Sequence, residues 1–140
     1  MEHTVVEVET IIAASPHMVW DTMITNPSTL FLGAKVDTDW KVGHPITMSG
    51  DFKGKSFRDE GEIRAFDEDH RLSFTHRSGS ANGVTNLVTF ELQRQGQGTK
   101  VKLIQAPLAA ATLSDEQKSK FAKTWSLMLG ALKKEVESRP

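Results

Sequence analysis

FAKTWSLMLGALKKEVE, Phe121 to Glu137, closes on a clear period. Its apolar residues are Phe121, Trp125, Met128, Leu129, Leu132 and Val136. At about 100° per residue they share one helical face. Lys120, Lys123, Lys133, Lys134 and Glu137 fall on the polar side and read as a solvated face. Ser114 and Gln117 form an S-x-x-Q capping box that starts this helix. A long amphipathic helix must lay its aromatic stripe on something. That something is either a solid core or the wall of a cavity that holds a ligand.

The chain before the helix alternates. Ile46, Met48, Gly50 and Phe52 alternate with polar residues, and a turn follows at Lys53-Gly54-Lys55. Phe57, Asp59, Gly61, Ile63 and Ala65 share the next face. Asp67-Glu68-Asp69 turns the chain, and Leu72, Phe74 and His76 follow. Beyond the SGSANG loop come Asn86, Val88, Phe90 and Leu92. Gln95-Gly96-Gln97-Gly98 reads as a hairpin turn into Val101, Leu103 and Gln105. This is an antiparallel meander with one wet face and one buried face. Upstream, residues 4–12 read as a strand. Ser15-Pro16 and Asn26-Pro27 then start two short helices, the first running to about Ile24 and the second ending at Gly33. The order is strand, two short helices, five strands, long helix. A curved sheet of about six strands must cover one face, and only the long helix is large enough to do it. The expected fold is α+β, a helix-grip arrangement.

The totals agree. At 140 residues the chain is read as one domain, residues 1–140, with enough length for a full core. Hydrophobic residues at 38% and charged residues at 25% are ordinary for a globular domain. A formal net charge of −1 leaves no basic footprint for nucleic acid. Without cysteine there are no disulfides, thiolate nucleophiles or cysteine ligands. No apolar run approaches the ~20 residues that cross a membrane. MEHTVVEVE lacks the basic and apolar regions of a signal peptide, so a cytoplasmic location is expected.

Several stretches then occur in a familiar order: AASPHMVWDTM (13–23), DWKVGHPI (39–46), EGEIRAFDEDHRLSFTHR (60–77), VTFEL (88–92) before GTKVKLI (98–104), and TWSLMLGALKKEVE (124–137). Together they resemble the START-like, Bet v 1-like superfamily, also called SRPBCC. The branch they resemble most is the domain named after activators of the heat-shock-protein-90 ATPase. The resemblance covers nearly the whole chain and implies the helix-grip fold. It implies three possible functions. Superfamily members bind lipids, sterols or plant hormones, assist a chaperone, or act as polyketide cyclases. One departure is visible. Family members often carry Gly-Trp in the last helix where this chain has Thr124-Trp125, and a branched threonine there would narrow the space a glycine leaves.

Strand pairing places polar residues on the inward face. If Phe52 faces Phe57, Gly50 faces Asp59 and leaves room beside it. If Ile63 faces Leu72, Asp59 faces His76. If Phe74 faces Val88, His76 faces Asn86, with Gln105 on the diagonal. Residues opposite each other sit about 5 Å apart, so the four polar side chains form one row. Such groups are unfavourable in an apolar interior unless they find partners. Either they bond one another near the sheet edge, or they are the polar end of a ligand cavity. In the second reading Phe121, Trp125, Met128 and Leu132 make the helical wall, and Met48, Phe57, Phe74 and Val88 make the sheet wall. LFLG (30–33) and the Ser78–Gly83 loop gate it. The ligand is a hydrophobic or amphipathic small molecule, and no cofactor is expected.

Asp59 beside His76 would favour and orient a protonated imidazole, the pair an acid–base reaction would use. Ser78 and Ser80 lie nearby but lack a nucleophile turn. The five histidines, at 3, 17, 44, 70 and 76, show no metal spacing.

Overall fold

The computed structural model describes residues 6–31, 33–52, 54–77, 85–108 and 114–138. The closing helix, α2, runs Asp115–Glu137. Its capping box is formed on both sides: the Gln117 N–H donates to Ser114 Oγ at 3.1 Å, and the Ser114 N–H donates to Gln117 Oε1 at 2.9 Å. Trp125, Leu129, Leu132 and Val136 are buried, while Phe121 and Met128 are half-buried. At its far end, Lys133 Nζ donates to the Ile11 carbonyl at 2.6 Å and to Glu137 at 2.7 Å. The Ala13 N–H donates to Glu137 at 2.9 Å. This clasp fastens the last turn of α2 to the end of the first strand.

That strand, β1 (Val6–Ile12), leads into α1 (Pro16–Thr25) and a 3-10 helix (Pro27–Phe31). Ser15 caps α1 by accepting from the Met18 N–H, with proline at the helix start. Gly33, at φ 91°, ends the 3-10 turn in a conformation that favours glycine. Six strands follow: β2 (Lys35–Thr38), β3 (Pro45–Phe52), β4 (Lys55–Asp67), β5 (Arg71–Arg77), β6 (Thr85–Gln95) and β7 (Gly98–Pro107). All pairs are antiparallel, in the order β1-β7-β6-β5-β4-β3-β2.

The sheet has seven strands, one more than the sequence reading counted. The addition is β2, whose four residues KVDT offer one apolar side chain and too little alternation to register as a strand. The meander is otherwise as expected, including the two-residue hairpin at Gly96-Gln97, closed by the Gln95–Gly98 pair.

Two register expectations are corrected. Phe52 pairs with Lys55, so Gly50 faces Phe57 and Met48 faces Asp59. The loop is therefore two residues tighter than a Phe52–Phe57 pairing requires. The room at Gly50 is taken by the Phe57 ring, whose Cε1 would lie 3.3 Å from an added Cβ. Ile63 pairs with Phe74, not Leu72, because β4 carries a bulge between Ile63 and Ala65. The extra residue turns Phe66 inward, opposite Leu72, in place of Ala65. Phe66 then closes an aromatic corner with Trp20 at 5.1 Å and Trp40 at 6.1 Å between ring centres.

The core lies on the concave face. Phe74 and Phe90 stack at 6.3 Å, and Trp125 of α2 meets Phe90 edge-on at 6.5 Å. Met48, Ile63, Leu72, Val88, Val101, Leu103 and Leu132 complete it, each at most 1% exposed. On the convex face the register lines up Glu9, Lys102, Glu91 and Arg71, alternating in sign across four strands. No described helix is long and apolar enough to cross a membrane.

Candidate functional site

The polar row exists, reached by a different register. His76 faces Asn86 directly, as expected. Gln105 faces Val88 and so stands diagonally from Asn86, also as expected. Asp59 is not opposite His76. The Ile63–Phe74 and Glu60–Arg77 pairs set it two residues off. The two side chains still meet on the diagonal, with His76 Nε2 and Asp59 Oδ2 2.9 Å apart. Both are largely covered, at 21% and 17% side-chain exposure.

Asn86 is 7% exposed and Gln105 2%. Trp125 Nε1 donates to Gln105 Oε1, tying α2 to β7. An indole N–H only donates, so this bond fixes which end of the Gln105 amide faces the helix. Among the described residues, two buried side-chain atoms have no hydrogen-bond partner. They are Asn86 Oδ1 and Gln105 Nε2. Each such group is unfavourable by roughly 1–3 kcal/mol. Buried polar groups are ordinarily paired, so two orphans on adjacent strands of one face call for an explanation.

The twelve residues expected to line a cavity divide into three sets. Met48, Phe74, Val88, Trp125 and Leu132 are packed into the core with at most 5% exposure. Phe57, Asp59, His76, Phe121 and Met128 are half-buried. Asn86 and Gln105 lie between them. The stripe of the last helix is thus core from Leu129 onward. Only its first half borders the polar row.

Thr124 lies on the exposed side of α2, where its hydroxyl donates to the Lys120 carbonyl. It does not narrow the interior, contrary to the expectation drawn from the family's Gly-Trp. The Ser78–Gly83 loop and Leu32 of the expected gate lie outside the described residues, as do Ser78 and Ser80.

One feature escapes sequence spacing. His17, Glu68 and Asp69 bring three potential ligand atoms within 4.8 Å of one another on the surface. His17 and Asp69 are 52 positions apart, so no local motif announces them. Their hydrogen bond at 3.1 Å already accounts for the arrangement.

Residues 13–137 match the family model described as activator of Hsp90 ATPase homolog 1-like protein. The chain belongs to this family, AHSA1. AHSA1 is a branch of the START-like, Bet v 1-like superfamily, and solved structures agree with that placement. A protein from Cytophaga hutchinsonii is 29% identical, with a TM-score of 0.78 over 99% of this chain and 97% of that one. A protein from Mesorhizobium loti is 21% identical, with a TM-score of 0.78 over 97% of this chain and 98% of that one. Ara h 8.0201 is 16% identical, with a TM-score of 0.78 over 96% of this chain and 98% of that one. The last two likenesses concern the fold alone. No curated protein matches the chain. Within this AHSA1 chain the polar row is specified by its own residues, not by the family name.

Proposed function

We propose that this AHSA1 chain binds a hydrophobic or amphipathic small molecule between the sheet and the first half of α2. The observation that carries the reading is the pair of unpartnered buried atoms, Asn86 Oδ1 and Gln105 Nε2, on one face beside His76 and Asp59. An apolar site with a few convergent polar groups is the usual form of a small-molecule pocket. Phe57, Phe121 and Met128 supply its apolar rim, and Phe74, Phe90 and Trp125 its floor. Affinity comes from apolar burial, about 25 cal/mol per Å² before ordering costs. Orientation comes from His76, Asn86 and Gln105. No cofactor enters this reading. In this reading the domain, residues 1–140, acts in the cytoplasm as a binder.

The test is titration with the neutral apolar dye N-phenylnaphthylamine, followed by displacement with decanol. Saturable binding and competition are expected. His76→Ala should leave dye binding in place and weaken decanol. Absence of saturable dye binding would refute the reading.

The family description supports a second reading, a chaperone-associated protein of the Hsp90 ATPase activator type. In that case the working surface is outside, and exposed apolar side chains such as Leu127 at 61% and Val42 at 60% are its first candidates. Stimulation of a purified chaperone's ATPase, lost in Leu127→Glu or Val42→Glu, would establish it. No stimulation would remove it.

A further inference from the structure

The two orphaned atoms are unlike, and the difference specifies what they bind. Trp125 holds Gln105 by its Oε1, so Gln105 Nε2 is a fixed donor in need of an acceptor. Asn86 Oδ1 is an acceptor in need of a donor. Register sets Asn86 two residues before Val88, the partner of Gln105. Cross-strand diagonals of this kind span roughly 7–8 Å, a separation that one small hydrogen-bonding group can bridge. We infer that the ligand carries, at its polar end, an uncharged group that both donates and accepts a hydrogen bond. A hydroxyl or a primary carboxamide has that chemistry. This inference rests on the ligand-binding reading above and narrows its ligand class.

Charge points the same way. Among the described residues of the row, the ionisable ones are Asp59 and His76, and they bond each other at 2.9 Å. With His76 protonated the pair sums to zero, and with it neutral the pair is negative. Neither state offers surplus positive charge to a carboxylate or phosphate, whose burial without it is strongly unfavourable. A quaternary ammonium fails differently. It has no donor for Asn86 Oδ1 and no acceptor for Gln105 Nε2, so both stay unpaired. A hydroxyl donates to Asn86 and accepts from Gln105 in one position.

The route to these atoms is also specified. α2 is clasped to β1 at its C-terminal end, so its first half lies at the Asn86 end of the sheet. Phe121, one turn before Trp125 on the same face, is half-buried at that end.

The test compares head groups on one alkyl chain. Decanol, decanamide, decanoate and decyltrimethylammonium are titrated against bound N-phenylnaphthylamine at about pH 8, where the carboxylate is ionised. Decanol and decanamide should displace the dye at least about tenfold better than the two ions. Asn86→Leu should weaken decanol and decanamide by about tenfold relative to the dye. The same variant should melt no lower than the parent, because it removes an unpaired buried acceptor. A purely structural Asn86 would instead lower the melting temperature and leave the head-group preference intact. Decanoate or decyltrimethylammonium binding as well as decanol, or a preference that survives Asn86→Leu, overturns the inference while the binding reading stands. Failure of the dye to bind overturns both.

Discussion

Gly61 shows how tightly single residues are held near the site. A Cβ added there would lie 1.7 Å from the Thr75 carbonyl oxygen, a backbone atom that cannot move aside. Thr75 Oγ1 also accepts the Glu62 N–H at 2.9 Å, which pins β4 to β5 at this point. Gly61→Ala should therefore destabilise the protein by roughly 3 kcal/mol, read from urea unfolding. Trp125 poses a different question, because its ring fills the core while its N–H holds Gln105. Trp125→Phe keeps an aromatic ring against Phe90 but leaves the whole Gln105 amide unpaired. It should lose about 1–3 kcal/mol in the same assay. An unchanged midpoint would mean that Gln105 finds another partner. Residue types were the most legible part of the site in the sequence. His76, Asn86 and Gln105 lie where alternation along their strands places them. The orphaned atoms were not legible, since a missing partner is a property of the packed interior.

Elements were legible where local chemistry decides them. Ser114-x-x-Gln117 and Ser15-Pro16 announce their helices because capping involves only neighbouring residues. Ser114→Ala should lower stability by about 1 kcal/mol, with faster amide exchange in the first turn of α2. Register across strands was less legible. One extra residue in β4 and a tight loop at Gly54 shift two pairings, and no sequence pattern marks a bulge. The Asp59–His76 contact survived that error because both side chains reach across the diagonal.

Two contacts between elements should respond to pH in opposite directions. Asp69, through its hydrogen bond and its charge, holds the His17 pKa above the ordinary 6.5. The stability this contact adds is complete below 6.5 and is lost as pH rises through the raised value. In the clasp, Lys133 first and the Ala13 N–H second hold the Glu137 carboxyl below the ordinary 4.5. Its contribution is complete above 4.5 and is lost as pH falls through the lowered value. Melting curves should show His17→Gln flattening the alkaline side of the profile and Glu137→Gln the acid side. A parental profile in either variant would show that its contact adds nothing.

At the scale of the whole molecule, the sheet and α2 divide the interior into two parts. The clasp, β1 and the buried Leu132 and Val136 make one end solid. At the other end lie the unsatisfied amides, with His76 and Phe121 half-buried. A single amphipathic stripe thus serves as core in one half and as a candidate wall in the other. The fold was readable because six landmarks share one order and one long helix must cover one sheet. The division of the stripe was not readable, because helical periodicity gives a face and says nothing about what fills the space beneath it.

A ligand bound as proposed meets Asn86 and reaches Trp125 through Gln105. The most direct measurement is a decanol titration followed by nitrogen-edited NMR, watching the Asn86 side-chain amide and the Trp125 indole N–H. Both resonances should shift together and saturate at one affinity, since the ligand's hydroxyl joins the network that links them. If both stay fixed while decanol binds elsewhere or not at all, the row is a strained piece of core, and this chain works through its outer surface.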